Sequence, residues 1–458
     1  MLLSHAFDRF LAQRPMCVLA RGALEHLLDP AHLDRVFEVS AQRGYQKELL
    51  FSTLVDLFAD VVLRVEPSVH AAYQRRQAEV RVSPAAVYQK LNGIEPVVSA
   101  ALVADSARRA RAVIGELRAA HAPWLPGYHC RVLDGNHLGA TEHRIGELRA
   151  TWAAPLPGRA LVVLDPEGML ATDVFLTPDG HASERSLLDA VAAAVRPRDV
   201  WIADRNFCTL GFLFGIARRL GFFVIRQHGS LGGELIGRRW RRGRTHTGVV
   251  FEQKVRLTDP ATGRSRVWRR VTVELKEPTR DGDRELHLLT SLPACVASAV
   301  AVCDLYRRRW TVEGVFQEIA TTLAGEVPSL GYPRAALFAF CLALLTYNAV
   351  SVLKAALRAA HGAKVVTETV SGYYIALEVR QAADGLSVAV PAAEWAGFGT
   401  ATPAAMADWL RGAAAGIDLR RYRKHPRGRK KPPPAKAAYR NGGHVSTERL
   451  LRERGQPR

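Results

Sequence analysis

Apolar residues recur at helical spacing over the first quarter of the chain and shift to strand-like runs in the middle. Glu48 to Leu63 places its apolar residues three and four apart, which predicts a helix with one buried face. Ser83 followed by Pro84 reads as an N-cap and first helical position, and Ser106 to Ala112 sets arginines on another helix. The segment to about Arg118 is therefore expected to be helical. Beyond it, Tyr128–Leu133 forms an apolar run. Ala160–Asp165 and Met169–Leu176 flank Pro166-Glu-Gly168, a hairpin signature. Ser183 is the expected N-cap of a helix reaching Val195. A strand at Val200–Ala203, a helix at Leu210–Leu220 and a strand at Phe222–Arg226 follow.

Three strands, a helix, a strand, a helix and a strand is the order of a ribonuclease H-like domain, so the predicted class is α/β. Gly248–Arg256, Ser265–Glu274 and Glu285–Thr290 then read as strands whose β-branched residues suit an antiparallel sheet. Ala335–Leu353 has no charged residue over nineteen positions, long enough to raise a membrane span. Thr346, Tyr347, Asn348 and Ser351 interrupt it, and a buried helix under the preceding domain is the expectation.

Candidate chemistry sits on this framework. Asp134 and Asp204 each follow an apolar strand, where a carboxylate is held rigidly at the edge of a cleft. Tyr306, Arg309 and Glu313, at offsets 0, 3 and 7, project from one face of a helix for which Asp304 is a candidate N-cap. Alone, such a stripe is usually a surface salt-bridge patch. Together, three carboxylates from strand, strand and helix fall in the slots where a ribonuclease H-like fold carries its acids. They could hold two divalent cations roughly 3.5–4 Å apart for in-line attack on phosphodiesters. Oxygen ligands favour Mg²⁺ or Mn²⁺ over zinc.

Charge sharpens the choice of partner. The chain carries a formal net charge of +19, and residues 420–458 hold fourteen Lys or Arg against two Glu. A polyanion is the natural partner. The proline-rich run Arg420–Pro434 is expected to be extended or disordered alone and could track a DNA backbone, or merely solubilise. Arg238, Arg239, Arg241 and Arg242 surround Trp240, a segment able to neutralise phosphates while the indole stacks on an unpaired base. Otherwise it is a solvated loop with the indole on the sheet. The six cysteines form no CxxC and no paired set, which points to neither a disulfide framework nor a zinc site, and to a reducing cytoplasm. Met1 is followed early by Asp8 and Arg9, unlike a signal peptide.

The chain resembles a DDE transposase of the insertion-sequence-4 type, whose signature is Y-x2-R-x3-E-x6-K. Asp134 in Leu133-Asp-Gly-Asn-His137 matches the first acid, Asp204 in Ala203-Asp-Arg-Asn-Phe207 the second, and Glu313 the third, with Tyr306 and Arg309 as companions. Thr141–Arg144, Leu156–Gly158, Leu288–Pro293 and Arg423–Gly428 extend the resemblance over nearly the whole chain. The signature's lysine, which contacts DNA phosphate, falls at a position occupied here by Ala320.

The resemblance implies cut-and-paste transposition. Two Mg²⁺ (or Mn²⁺) ions held by Asp134, Asp204 and Glu313 would serve water attack at a terminal inverted repeat, then strand transfer of the freed 3′-OH into target DNA. It also implies an inserted β domain, an N-terminal domain that reads the repeats, and a homodimer on paired double-stranded ends. No membrane partner is implied.

The expected divisions are residues 1–118, helical and DNA-binding, and 119–228, the first part of the catalytic core. An inserted β domain at 229–299 is followed by 300–362, with the Glu313 helix and the buried helix after it. A helical region at 363–419 and the basic tail at 420–458 complete the chain. The rival reading is a DNA-binding protein descended from such a transposase and catalytically decayed.

Overall fold

The computed structural model describes residues 8–43, 48–279, 282–375, 377–378, 392–425 and 443–455, without the side chains of 8–9, 320–322 and 392. The elements that matter for the site begin with helices α1 (Phe51–Val62) and α2 (Pro96–Leu117). Strands β1 (His129–His137), β2 (Ala154–Leu156), β3 (Arg159–Asp165) and β4 (Leu170–Thr177) follow. Helix α3 (Leu188–Ala193) leads to β5 (Asp199–Ala203), α4 (Leu210–Arg218) and β6 (Phe222–Arg226). Four strands come next: β7 (Glu234–Arg244), β8 (Gly248–Thr258), β9 (Ser265–Leu275) and β10 (Glu285–Thr290). Toward the C-terminus come α5 (Ala299–Arg307), α6 (Thr311–Thr322), α7 (Pro333–His361), β11 (His444–Ser446) and α8 (Thr447–Gly455).

Nine strands form one mixed sheet in the order β4-β3-β1-β5-β6-β10-β9-β8-β7. The hairpin at Pro166–Met169 joins β3 to β4 in the register Asp165↔Leu170. Strands β1, β5 and β6 run parallel through Leu133↔Ala203 and Ala203↔Ile225, with helices as crossovers. This half of the sheet is consistent with the expected ribonuclease H-like arrangement. Strands β7 to β10 are antiparallel but do not form a separate sheet. The pair Leu288↔Arg226 joins β10 to β6, so the antiparallel part continues the core sheet edge to edge.

Alternation along β1 assigns the two faces. Leu133 packs with Trp201, Ala203 and the residues of α3 and α4. Val132 faces the other way, into a cluster with Val312 and Val315 of α6 and the apolar length of α7. Asp134, two residues on from Val132, is thereby turned toward the α5–α6 side. Helix α7 is the one described helix apolar and long enough to cross a membrane, and its most apolar window is wholly buried within the protein. Its polar interruptions have partners. Asn348 accepts the Ala171 N–H at 2.9 Å and donates to the Ala171 carbonyl at 3.0 Å, while the Ser351 hydroxyl donates to the Met169 carbonyl at 2.7 Å.

Three expectations are corrected. Strand β1 does not stop at Asp134; it continues to His137, with Asp134 paired to Val162 of β3. Ser183 caps a single 3-10 turn, Glu184–Leu187, and only then does α3 begin. Asp304 is not an N-cap: Ser298 takes that role by accepting the Ala301 N–H, and the helix starts with the buried residues Ala299 and Val302. Part of the basic C-terminal region is ordered against the core. Strand β11 pairs with β2 at Val445↔Pro155, and Arg449 of α8 reaches Asp179 at 2.8 Å. The proline-rich run after His425 lies outside the described residues.

Candidate active site

Adjacent parallel strands place the first two acids side by side. Leu133 and Ala203 are register partners, and Asp134 and Asp204 are the next residue along each chain segment. Asp204 leaves β5 extended and caps a one-turn 3-10 helix, Arg205–Phe207, its Oδ1 accepting the Asn206 N–H at 2.5 Å. Asp134 Oδ1 accepts the N–H of its neighbour Gly135 at 3.0 Å.

The third group arrives from α5 and α6. These are not one regular helix: a 3-10 turn, Arg308–Trp310, lies between them with backbone angles that remain right-handed. Such a tightened turn inside a helix commonly marks a functional or strained site. Tyr306 ends up buried at the close of α5, Arg309 buried within the turn, and Glu313 exposed in the first turn of α6. Arg309 donates from Nη1 to Asp134 Oδ2 at 2.7 Å and from Nη2 to Glu313 Oε1 at 3.1 Å. It lies 6.0 Å from the Tyr306 ring centroid and 5.8 Å from that of Trp310. Its Nε–H is buried with no hydrogen-bond partner.

Charge is unbalanced here. Burial pushes the Asp134 carboxyl up to about 6. Arg309 and the Gly135 N–H pull it down, and the neighbouring Asp204 and Glu313 push it further up. Burial opposes the charge of Arg309, but Asp134, Tyr306, Asp204 and Glu313 outweigh it and hold the guanidinium protonated. The Tyr306 phenol is raised by burial, against the pull of Arg309. Asp134, Asp204, Glu313, Tyr306 and Arg309 therefore feel one another.

The donor set is carboxylate oxygen, the chemistry a hard divalent cation takes, and an acid raised chiefly by burial, with two acidic neighbours adding to it, is what added positive charge would relieve. In the folded chain the guanidinium occupies that role between Asp134 and Glu313. Among the described residues no three Asp, Glu, His or Cys side chains converge closely enough to hold a metal ion. The residue types are those a divalent ion takes, with Asp134 and Asp204 following paired strand positions and Glu313 bonded to Arg309.

The arginine segment Arg238–Arg242 lies elsewhere, on the outer edge strand β7. Arg239 is tied to Glu274 at 2.7 Å and Glu285 at 2.9 Å, and Arg242 is within 3.5 Å of Glu252. Arg238 stacks 4.8 Å from the ring centroid of Trp240, whose side of the strand is open, and Arg241 is exposed. Residues that the sequence did not single out also reach the acids: Glu184 binds the Asn206 side chain and lies against Gly135. No local pattern marks Glu184, because its neighbours in space come from within β1 and from the turn after β5.

Residues 126–349 match the transposase DDE domain family. The matched span contains Asp134, Asp204 and Glu313 and runs from before β1 into α7. A match to that family over these residues supports a transposase function in general terms. The matched span includes the whole nine-stranded sheet. No curated protein matches the chain.

Proposed function

We propose that the chain catalyses cut-and-paste transposition of an insertion sequence: hydrolytic cleavage at terminal inverted repeats, followed by 3′-OH transfer into target DNA. The observation that carries this reading is the buried Arg309, bonded to Asp134 and Glu313 beside Asp204, within the match to the DDE domain. Asp134, Asp204 and Glu313 would hold divalent ions, Mg²⁺ or Mn²⁺, which when bound lower the pKa of an attacking water and neutralise a leaving 3′ oxygen. Arg309 has the planar fork that binds phosphate oxygens in pairs, and a scissile phosphate would draw it away from Glu313. Tyr306, packed against that guanidinium, limits where it can move. Arg238, Trp240 and Arg241 would meet DNA along β7, while Arg239 and Arg242 hold the ribbon's shape through Glu274, Glu285 and Glu252. A homodimer on paired ends is part of the same reading.

The test is cleavage of linear DNA carrying the element's own ends, with Mg²⁺, by wild type beside Asp134→Ala. The expected result is nicking that leaves 3′-OH ends and is lost in the variant. End binding without cleavage by the wild type would sink the reading in favour of a catalytically decayed DNA binder.

A further inference from the structure

Glu184 stands on the 3-10 turn Glu184–Leu187, between β4 and α3, and it touches both strands that carry the site's aspartates. On the β5 side its Oε2 accepts the Asn206 Nδ2–H at 2.6 Å. The next residue, Arg185, donates its Nε–H to the Asn206 carbonyl at 2.9 Å. The Asn206 backbone N–H is the donor to Asp204 Oδ1. One residue is thus gripped at its side-chain amide and its carbonyl by Glu184 and Arg185, while its N–H fixes the second acid.

On the β1 side the Glu184 carboxylate lies against Gly135, where an added Cβ would collide with it. The backbone there is not in the left-handed region, so a Cβ at this position would press first on the Glu184 carboxylate and push it off its present place. Gly135 is also the residue whose N–H binds Asp134. The carboxylate of Glu184 therefore bridges the residue after Asp134 and the residue two past Asp204.

We propose that Glu184 is a positioning residue for the strand-cleavage reaction, fixing Asp204 relative to Asp134 through Asn206, with Gly135 providing the room. This rests on the transposase reading. A partly exposed carboxylate adds little to stability, but a small displacement of a reacting group is costly. Loss of a group that orients a metal-binding carboxylate reduces activity about 10- to 100-fold.

The experiment compares wild type, Glu184→Ala, Glu184→Gln, Asn206→Ala, Gly135→Ala and the pairwise doubles. Single-turnover cleavage of end DNA is measured alongside DNA affinity, melting temperature and the melting shift on adding Mn²⁺. Glu184→Ala is expected to slow cleavage about 10- to 100-fold, leave DNA affinity and the metal-free melting temperature unchanged, and shrink the Mn²⁺ shift. Glu184→Gln keeps an acceptor for Asn206 and should stay within about threefold of wild type. Asn206→Ala and Gly135→Ala should each match Glu184→Ala and add nothing to it in the doubles, since all act through the Glu184 carboxylate.

Cleavage by Glu184→Ala at the wild-type rate, additive doubles, or Glu184→Gln as impaired as Glu184→Ala would each overturn the proposal while leaving the transposase reading standing. A wild type that binds ends without cutting overturns both.

Discussion

The nine-stranded sheet has two edges, and they are finished in opposite ways. At one end β4 is covered by α7, and the Asn348 side chain pairs with both backbone groups of Ala171 as a neighbouring strand would. At the other end β7 has no strand partner beyond it among the described residues, and its eleven residues are largely open to solvent. Unpaired strand edges invite association with other chains. The covered edge meets this with one buried polar side chain on a long apolar helix. The open edge meets it with arginines, two register shifts against β8, and glycines at positive φ, Gly237 and Gly243. A buried edge must be satisfied bond by bond. An open edge needs only charge and irregularity, which leaves it available to a polyanion.

The largest effect should come from breaking the covered edge. Asn348→Leu keeps the volume but leaves the Ala171 N–H and carbonyl buried without partners, and removes the donor to the Ser106 hydroxyl, which keeps only its own bond to the Val103 carbonyl. At roughly 1–3 kcal/mol for each unsatisfied group, a drop of about 3–5 kcal/mol in urea unfolding is expected. A drop under about 1 kcal/mol would mean that the edge is not held this way.

Between the two edges, the sheet's centre tolerates charge only under strain. The folded Asp134 carboxyl, at about 6, lies above its ordinary 3.8, so its contribution to stability is fully present below the lower value and disappears as pH rises through the upper one. The amide introduced by Asp134→Asn does not titrate. In metal-free protein, the stability of this variant relative to wild type should therefore climb between these values by on the order of 1–3 kcal/mol and then level off. A pH-independent difference would contradict the burial and charge assigned to this residue.

The smallest effect on stability belongs to the open edge. Arg238→Glu with Arg241→Glu should stay within about 0.5 kcal/mol of wild type. DNA affinity should fall, and the salt slope should become shallower by about one for each phosphate that is no longer neutralised. Unchanged DNA affinity would remove β7 from the nucleic-acid surface.

Much of this arrangement was legible because local chemistry and global fold agree. Pro166-Glu-Gly168 marked the β3–β4 hairpin, Ser83 capped the helix it was expected to cap through the Ala86 N–H, and the uncharged run to Leu353 lies within a buried helix. The candidate acids were legible from strand ends and helical spacing. What escaped depends on contacts between distant segments. The polar residues of α7 announced an interruption but not that Asn348 serves β4. The spacing of Tyr306, Arg309 and Glu313 fits a regular helix and hides the 3-10 turn at Arg309. Antiparallel patterning located β8 to β10 without revealing that β10 pairs with β6. Basic composition obscured β11 and α8, whose order comes from pairing with β2 and from Arg449 on Asp179.

Two long-range contacts also set a schedule. Arg309 lies 175 residues after Asp134, and Asn348 lies 177 residues after Ala171. At about 5–20 residues per second, a nascent chain spends on the order of 10–35 s with its first aspartate made and its counter-ion not yet synthesised. The same interval passes with β4 made and its cover still missing. The growing protein therefore passes through a stage that is neither charge-balanced nor sealed, and both closures come from one short stretch of translation. A ribosome that stalls before that stretch leaves a chain unable to assemble its acids and open to its neighbours.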